Sequence, residues 1–213
     1  METLFSLLGL YQLSALVLPG AVAVSVAYFA VAGVPSDPSA AAVLGLIALF
    51  YIAGNVVQGA AVLWESWYWK ATGGWPSTRR MTPGDRDAYD TSFRALVQAK
   101  LDTLVGAPTY ALSVRDQFAL ARAELREQGQ DTRAEGFNAI YGLSRGLITA
   151  GVLSVAVALV CTAVGHEEHR NLIVAAVIGG CLIPIFVRFR RFSRYFADEV
   201  WHDFVALAPI ARK

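Results

Sequence analysis

Three polar side chains lie on or close to the second long apolar stretch of the sequence: Asn55, Gln58 and Glu65. Spaced i, i+3 and i+10, they are expected to share one face of a helix, with Glu65 at its end. Ahead of the third apolar stretch, at comparable depth, stand Asn138, Tyr141, Ser144 and Arg145. A lone charge at such a depth is costly and a paired one is tolerated, so Glu65 is expected to pair with Arg145. Two roles fit this set. Several copies of the chain could present it as the polar lining of an aqueous path, or one copy could use it as a structural clasp.

Other chemistry finds little support in the residues. His166, Glu167, Glu168 and His169 read HEEH, not the HExxH spacing that puts two histidines on one helical face for zinc. They are expected to form an exposed polar loop. Cys161 and Cys181 fall inside apolar stretches and read as small packing residues. Phosphate-loop, dinucleotide-binding, lipase-elbow and CxxC patterns are missing, and no serine, histidine and acid converge at one depth. No catalytic residue, metal site or cofactor is expected, and the chain does not read as an enzyme. Between Ser66 and Gly142 there are ten basic and nine acidic residues, a balance that argues against a nucleic-acid binder.

The elements that must position these residues follow from composition. The 213 residues are 55% hydrophobic and 16% charged, with a mean hydropathy of +0.46, well away from the quarter charged of a soluble domain. The apolar residues are gathered into four blocks of transmembrane length. The fold class expected is all-α: a polytopic membrane protein of about four transmembrane helices. Its parts are a hairpin over 1–65 with spans at about 11–34 and 39–64, and a small helical cytoplasmic domain over 66–142. A second hairpin over 143–187 has spans at about 143–164 and 171–187, and a basic amphipathic tail follows over 188–213. The N-terminus lacks the basic start of a signal peptide, so no cleavage is expected. Pro19 and Pro184 are expected to kink the first and fourth spans.

Ten of the eighteen Lys and Arg residues lie in the middle segment and six in the tail, while the two short loops carry almost none. The positive-inside rule places the middle domain and both termini in the cytoplasm, with the cluster Arg188, Arg190, Arg191 and Arg194 the strongest indicator. Trp64, Trp67, Tyr68, Trp69 and Trp75 crowd the inner end of the second span. They are expected to form an interfacial belt, with Trp67 and Trp69 facing lipid. Tyr11, Phe192, Tyr195 and Phe196 are placed at the same level. The tail alternates arginine with aromatic residues and either extends the fourth span or lies along the leaflet.

Within the middle domain, apolar spacing predicts a helix over Thr91 to Val105 stopped by Gly106 and Pro108. Ser113 with Asp116 forms a capping-box variant that opens a second helix, closed by Gly129. Thr132 with Glu135 is a further box. Nothing breaks the chain after it, so Arg133 to Val164 is expected to form one rod about 48 Å long. Gly142 and Gly146 make a GxxxG step for close helix packing, and Ala175, Ala176, Gly179 and Gly180 smooth the fourth span.

The runs Trp64 to Trp69, Gly74 to Ser77 and Phe137 to Arg145 resemble a group of small bacterial inner-membrane proteins. The resemblance implies the inner membrane of a bacterium and the membrane subunit of a stress or defence system, and supplies no catalytic residues. Taken together, the residues lead to a homo-oligomer that forms or gates an ion-conducting pore under control of its cytoplasmic helices. The alternative is a non-conducting anchor or scaffold for a cytoplasmic partner. The partners expected are membrane lipids, further copies of the chain, and a cytoplasmic protein or small-molecule regulator.

Overall fold

The computed structural model describes residues 10–32, 40–130, 132–165 and 167–207. The chain is 84% helix with no strands among the described residues. Among the described residues seven helices follow in order: α1 (Leu10–Ala32), α2 (Ala40–Ala71), α3 (Pro76–Met81), α4 (Thr91–Val105), α5 (Val114–Glu127), α6 (Thr132–Ala163) and α7 (Glu168–Ala206). Three of them, α2, α6 and α7, are long and apolar enough to cross a membrane, and α1 carries a shorter apolar stretch, Ala15–Tyr28. The loop expected at Val34 to Pro38, Tyr11's side chain and His166 lie outside what is described.

The local signals act as sequence physics requires. The Asp90 carboxylate accepts the Phe93 N–H at 2.8 Å and starts α4; Gly106, at φ +75°, ends it in the left-handed conformation that glycine adopts without a Cβ penalty. Ser113 accepts the Asp116 N–H at 3.2 Å and donates its hydroxyl to that carboxylate at 2.6 Å, which starts α5. The unbroken rod is present as the 32 residues of α6. Of the box before it, Thr132's side chain lies outside the description, while Glu135 accepts from Arg126 at 2.9 Å.

The chain divides into two compact units, residues 1–66 with 139–190 and residues 67–138 with 191–213. In the first, α1 and α2 meet backbone to backbone. A Cβ on Gly20 would lie 1.9 Å from the Phe50 carbonyl oxygen, and one on Gly54 would lie 2.0 Å from that of Leu16. α6 closes on the same place through Gly146, whose Cβ would stand 2.5 Å from Gln58 Nε2 and 2.8 Å from Pro19 Cγ. Only glycine permits this approach, the usual way for helices to associate where apolar lipid removes the hydrophobic drive. At the other end of this unit Arg170 donates to the Ala30 carbonyl at 3.0 Å, one of the last four carbonyls of α1 that no helical N–H can reach.

The second unit has a core of Val97 and Leu101 from α4, Ala121 and Leu125 from α5, Ala134 from α6, Val200, Trp201 and Phe204 from α7, and Met81. The tail is therefore not a face lying on lipid. It is the continuation of α7, and its aromatic stripe is core: Trp201 and Phe204 are fully buried. The Lys100 ammonium donates to the Val205 carbonyl at 3.0 Å and to that of Leu207, a cation at the negative end of α7. Between α4 and α5, Thr109 is fixed from three sides. Its hydroxyl and N–H donate to Asp102 at 2.7 and 2.6 Å, Gln98 donates to its hydroxyl, and Gln117 donates to its carbonyl at 3.0 Å. The polar atoms thus turn inward, and Tyr110 is left 79% exposed.

Two expectations follow. Gly54→Ala drives a methyl group into the Leu16 carbonyl and should cost about 1–3 kcal/mol, read as a lower thermal midpoint in detergent, whereas Gly179→Ala, with nothing in front of it, leaves the midpoint unchanged. The Thr109 hydroxyl and N–H, with Gln98, hold the Asp102 carboxyl below its usual range. The ionised group therefore stabilises the 106–112 loop above about pH 4, and that support is lost as the pH falls through the lowered value. The protection factor of the Thr109 amide, its exchange rate relative to an unstructured amide at the same pH, should fall on acidification, and Asp102→Asn should lower it at neutral pH.

Candidate functional site

The polar residues on the apolar helices converge in the first unit. Gln58 on α2 is the hub. Its amide nitrogen donates to the Ala15 carbonyl of α1 at 2.8 Å and to the Gly142 carbonyl of α6 at 3.3 Å, and its oxygen accepts from Arg145 Nη2 at 3.0 Å. Arg145 Nη1 meets Glu65 Oε2 at 2.7 Å. Glu65 is 2% exposed. One amide therefore joins three helices, and it does so where Gly146 leaves room for it. The geometry follows from α2: Gln58 and Glu65 are seven residues apart, two turns on one face, while Arg145 reaches both from α6.

Next to this cluster Trp64 donates its indole N–H to the Thr149 hydroxyl at 2.8 Å, and Tyr141 stacks on Phe189 with centroids 5.0 Å apart. Ser144 donates to its own helix, at Ile140 O, at 2.7 Å. Of the four residues expected at the inner mouth, Arg145 enters the polar cluster and Tyr141 and Ser144 pack beside it; Asn138 belongs to the second unit.

Asn55 departs from the face it was expected to share. It is exposed, and its amide donates to the Tyr51 carbonyl one turn back at 2.8 Å. Three residues advance a helix by about 300°, which turns Asn55 about 60° away from Gln58 and out of the bundle. Trp69 is the second departure: it is 4% exposed and packs with Trp75 at 6.1 Å, whereas Trp67 is 71% exposed. Two residues separate by about 200°, so the two indoles point to opposite sides, and only Trp67 fits the lipid-facing role. Among the basic residues, Arg188, Arg190, Arg191 and Arg194 are exposed, with Arg191 donating to the Tyr195 hydroxyl at 2.7 Å and Arg194 lying 3.9 Å from Asp87.

Sequence reading missed an ion-pair node in the second unit. Arg80 grips Asp198 with two bonds of 2.6 and 2.7 Å, and the Tyr89 hydroxyl donates to the same carboxylate at 2.7 Å. Burial, aided by Asp198, raises the Tyr89 phenol far above its ordinary value. No spacing rule links residues 118 positions apart. A polar cavity of about 510 Å³ in the same unit is lined by Gln128, Gln130, Arg133, Glu199 and Asp203 among others. Arg133 is already paired with Glu199 at 3.0 Å, and burial raises the Asp203 carboxyl.

Chemically, the cluster joins a carboxylate, a guanidinium and an amide that bond to one another, with the Ser144 and Thr149 hydroxyls beside it engaged with backbone carbonyls of α6. Among the described residues no three His, Cys, Asp or Glu side chains are placed to hold a metal ion, and both cysteines are free thiols. Compared with protein-family models, curated proteins and solved structures, the chain has no match, so the resemblance drawn from its tryptophan-rich runs gains no support there.

Replacing Arg145 by Leu removes the guanidinium that faces both Glu65 and Gln58, and should destabilise the folded protein by about 3 kcal/mol. Glu65→Leu combined with Arg145→Leu should recover much of that loss, which a double-mutant cycle on thermal unfolding would read as a coupling energy.

Proposed function

We propose that the chain is a non-conducting anchor: a four-span membrane bundle that holds a helical domain at the cytoplasmic face, where that domain docks a soluble partner. The tail arginines support the cytoplasmic side for the tail under the positive-inside rule, and an even number of spans then puts the N-terminus on the same side. The observation that carries the reading is the mutual pairing of Gln58, Glu65 and Arg145. A path for ions needs polar groups turned toward water. Here the charged and amide groups of α2 and α6 bind one another inside a single chain, and Glu65 is buried. They act as a clasp that tolerates its own desolvation.

The partner side rests on the loop around Tyr110. The twelve residues from Thr103 to Val114 carry no charge, while Thr109 is tied down by Asp102, Gln98 and Gln117. A rigid, uncharged segment presenting an exposed tyrosine has the composition of an interaction hot spot and loses little entropy when it docks.

Two measurements test the reading. Ion flux through liposomes containing the pure protein should equal that of empty vesicles, and flux that exceeds it would overturn the anchor in favour of a pore. A soluble protein should co-purify in fixed stoichiometry with the full chain and be lost with Tyr110→Asp, while the unfolding free energy of that variant stays within about 0.5 kcal/mol of the parent, as for an exposed substitution.

A further inference from the structure

The clasp accounts for Gln58 and Glu65 of α2 but not for Asn55. This residue lies ten positions before Glu65, about 15 Å along the helix, and is exposed on the single chain. Its amide makes one bond, to the Tyr51 carbonyl of its own helix. Its side-chain oxygen and second N–H have no partner among the described residues. In hydrocarbon an unpaired amide is expensive, and lipid tails offer it nothing.

The surface around it has a definite shape. Ala48, Ile52, Asn55, Gly59 and Val62 are all exposed and recur at alternating steps of four and three, the spacing of a straight seam on a helix. Helical geometry sets this seam opposite the face that carries Gly54, Val57, Ala61 and Glu65, which is buried in the first unit. Gly59, one turn from Asn55, has open space where a Cβ would stand. Unlike Gly20 and Gly54, it therefore packs against nothing among the described residues. Among these residues nothing accounts for a glycine and an asparagine side by side on an outward face.

We propose that α2 pairs with α2 of a second copy about a two-fold axis, with the Asn55 amide hydrogen-bonding to its counterpart and Gly59 letting the two backbones approach. The occupant follows from the chemistry. A carboxamide is at once donor and acceptor, so it is self-complementary, and a two-fold axis presents the same patch from both sides. Any other ligand would need its own polar group at this depth, whereas a second copy brings a matching amide to the same level. Small residues flanking one polar side chain are how helices recognise each other in lipid. The inference needs α2 to lie in hydrocarbon and is independent of whether the chain anchors a partner or conducts ions.

The test uses the full chain in liposomes, with Cys161→Ala and Cys181→Ala removing the native thiols. Under mild oxidation Ile52→Cys and Val62→Cys should form disulfide-linked dimers, while Ile47→Cys, exposed but about 100° round the helix from Ala48, should not. In detergent dilution followed by native mass spectrometry, Asn55→Leu should weaken the dimer about tenfold. Asn55→Gln should largely retain it, and Gly59→Leu, whose Cβ meets nothing among the described residues, should also disperse it. Unchanged circular dichroism and elution would show that each variant remains folded. Equal cross-linking at Ile47→Cys, or a dimer indifferent to Asn55→Leu, overturns the pairing, as does a parent protein that is monomeric at all concentrations.

Discussion

A carboxylate, a guanidinium and a carboxamide carried by apolar helices must satisfy one another, because the surroundings supply neither water nor counter-ion. Glu65, Arg145 and Gln58 do this within one chain, and the arrangement of the first unit follows from it. Gln58 reaches the carbonyls of Ala15 and Gly142 only if α1 and α6 come close to α2, and they come close only because Gly20, Gly54 and Gly146 lack side chains. Polar pairing and glycine packing are thus two aspects of one constraint. The first fixes which residues must meet, and the second removes the volume that would keep them apart.

The second unit is held by ordinary core packing. Its stability rests on large side chains, Leu101, Leu125, Trp201 and Phe204, brought together from three helices. Its charges are arranged at the margin of that core, where Arg80, Asp198 and Tyr89 form a node tied by three short bonds. The same helix, α7, thus changes character along its length. Its early residues, such as Ile173, Val177 and Ile183, are apolar and exposed, as a lipid-facing helix requires, and its last turns bury an aromatic stripe.

The polar side chains are used in two ways. The charged and amide groups of α2 and α6 bind one another inside the chain, whereas the Asn55 amide beside Gly59 and the Tyr110 ring are turned outward.

By itself the sequence determined what local periodicity and composition can encode. It gave the all-helical character, the long apolar helices, the stop at Gly106, the start at Ser113 and the unbroken run of α6, because each depends on residues within a few turns of one another. The partner of Glu65 was legible too, since burying charge leaves so few choices. Tertiary structure decided what depends on angle and distance. It turned Trp69 inward while Trp67 faces out, and it set Asn55 apart from Gln58 by rotation about α2. It made Gly20 and Gly54 a crossing, and it put the tail's aromatics into a core with Val97 and Leu101. Arg80 and Asp198, far apart in the chain, meet only there, since no local pattern specifies which distant residue a side chain will face.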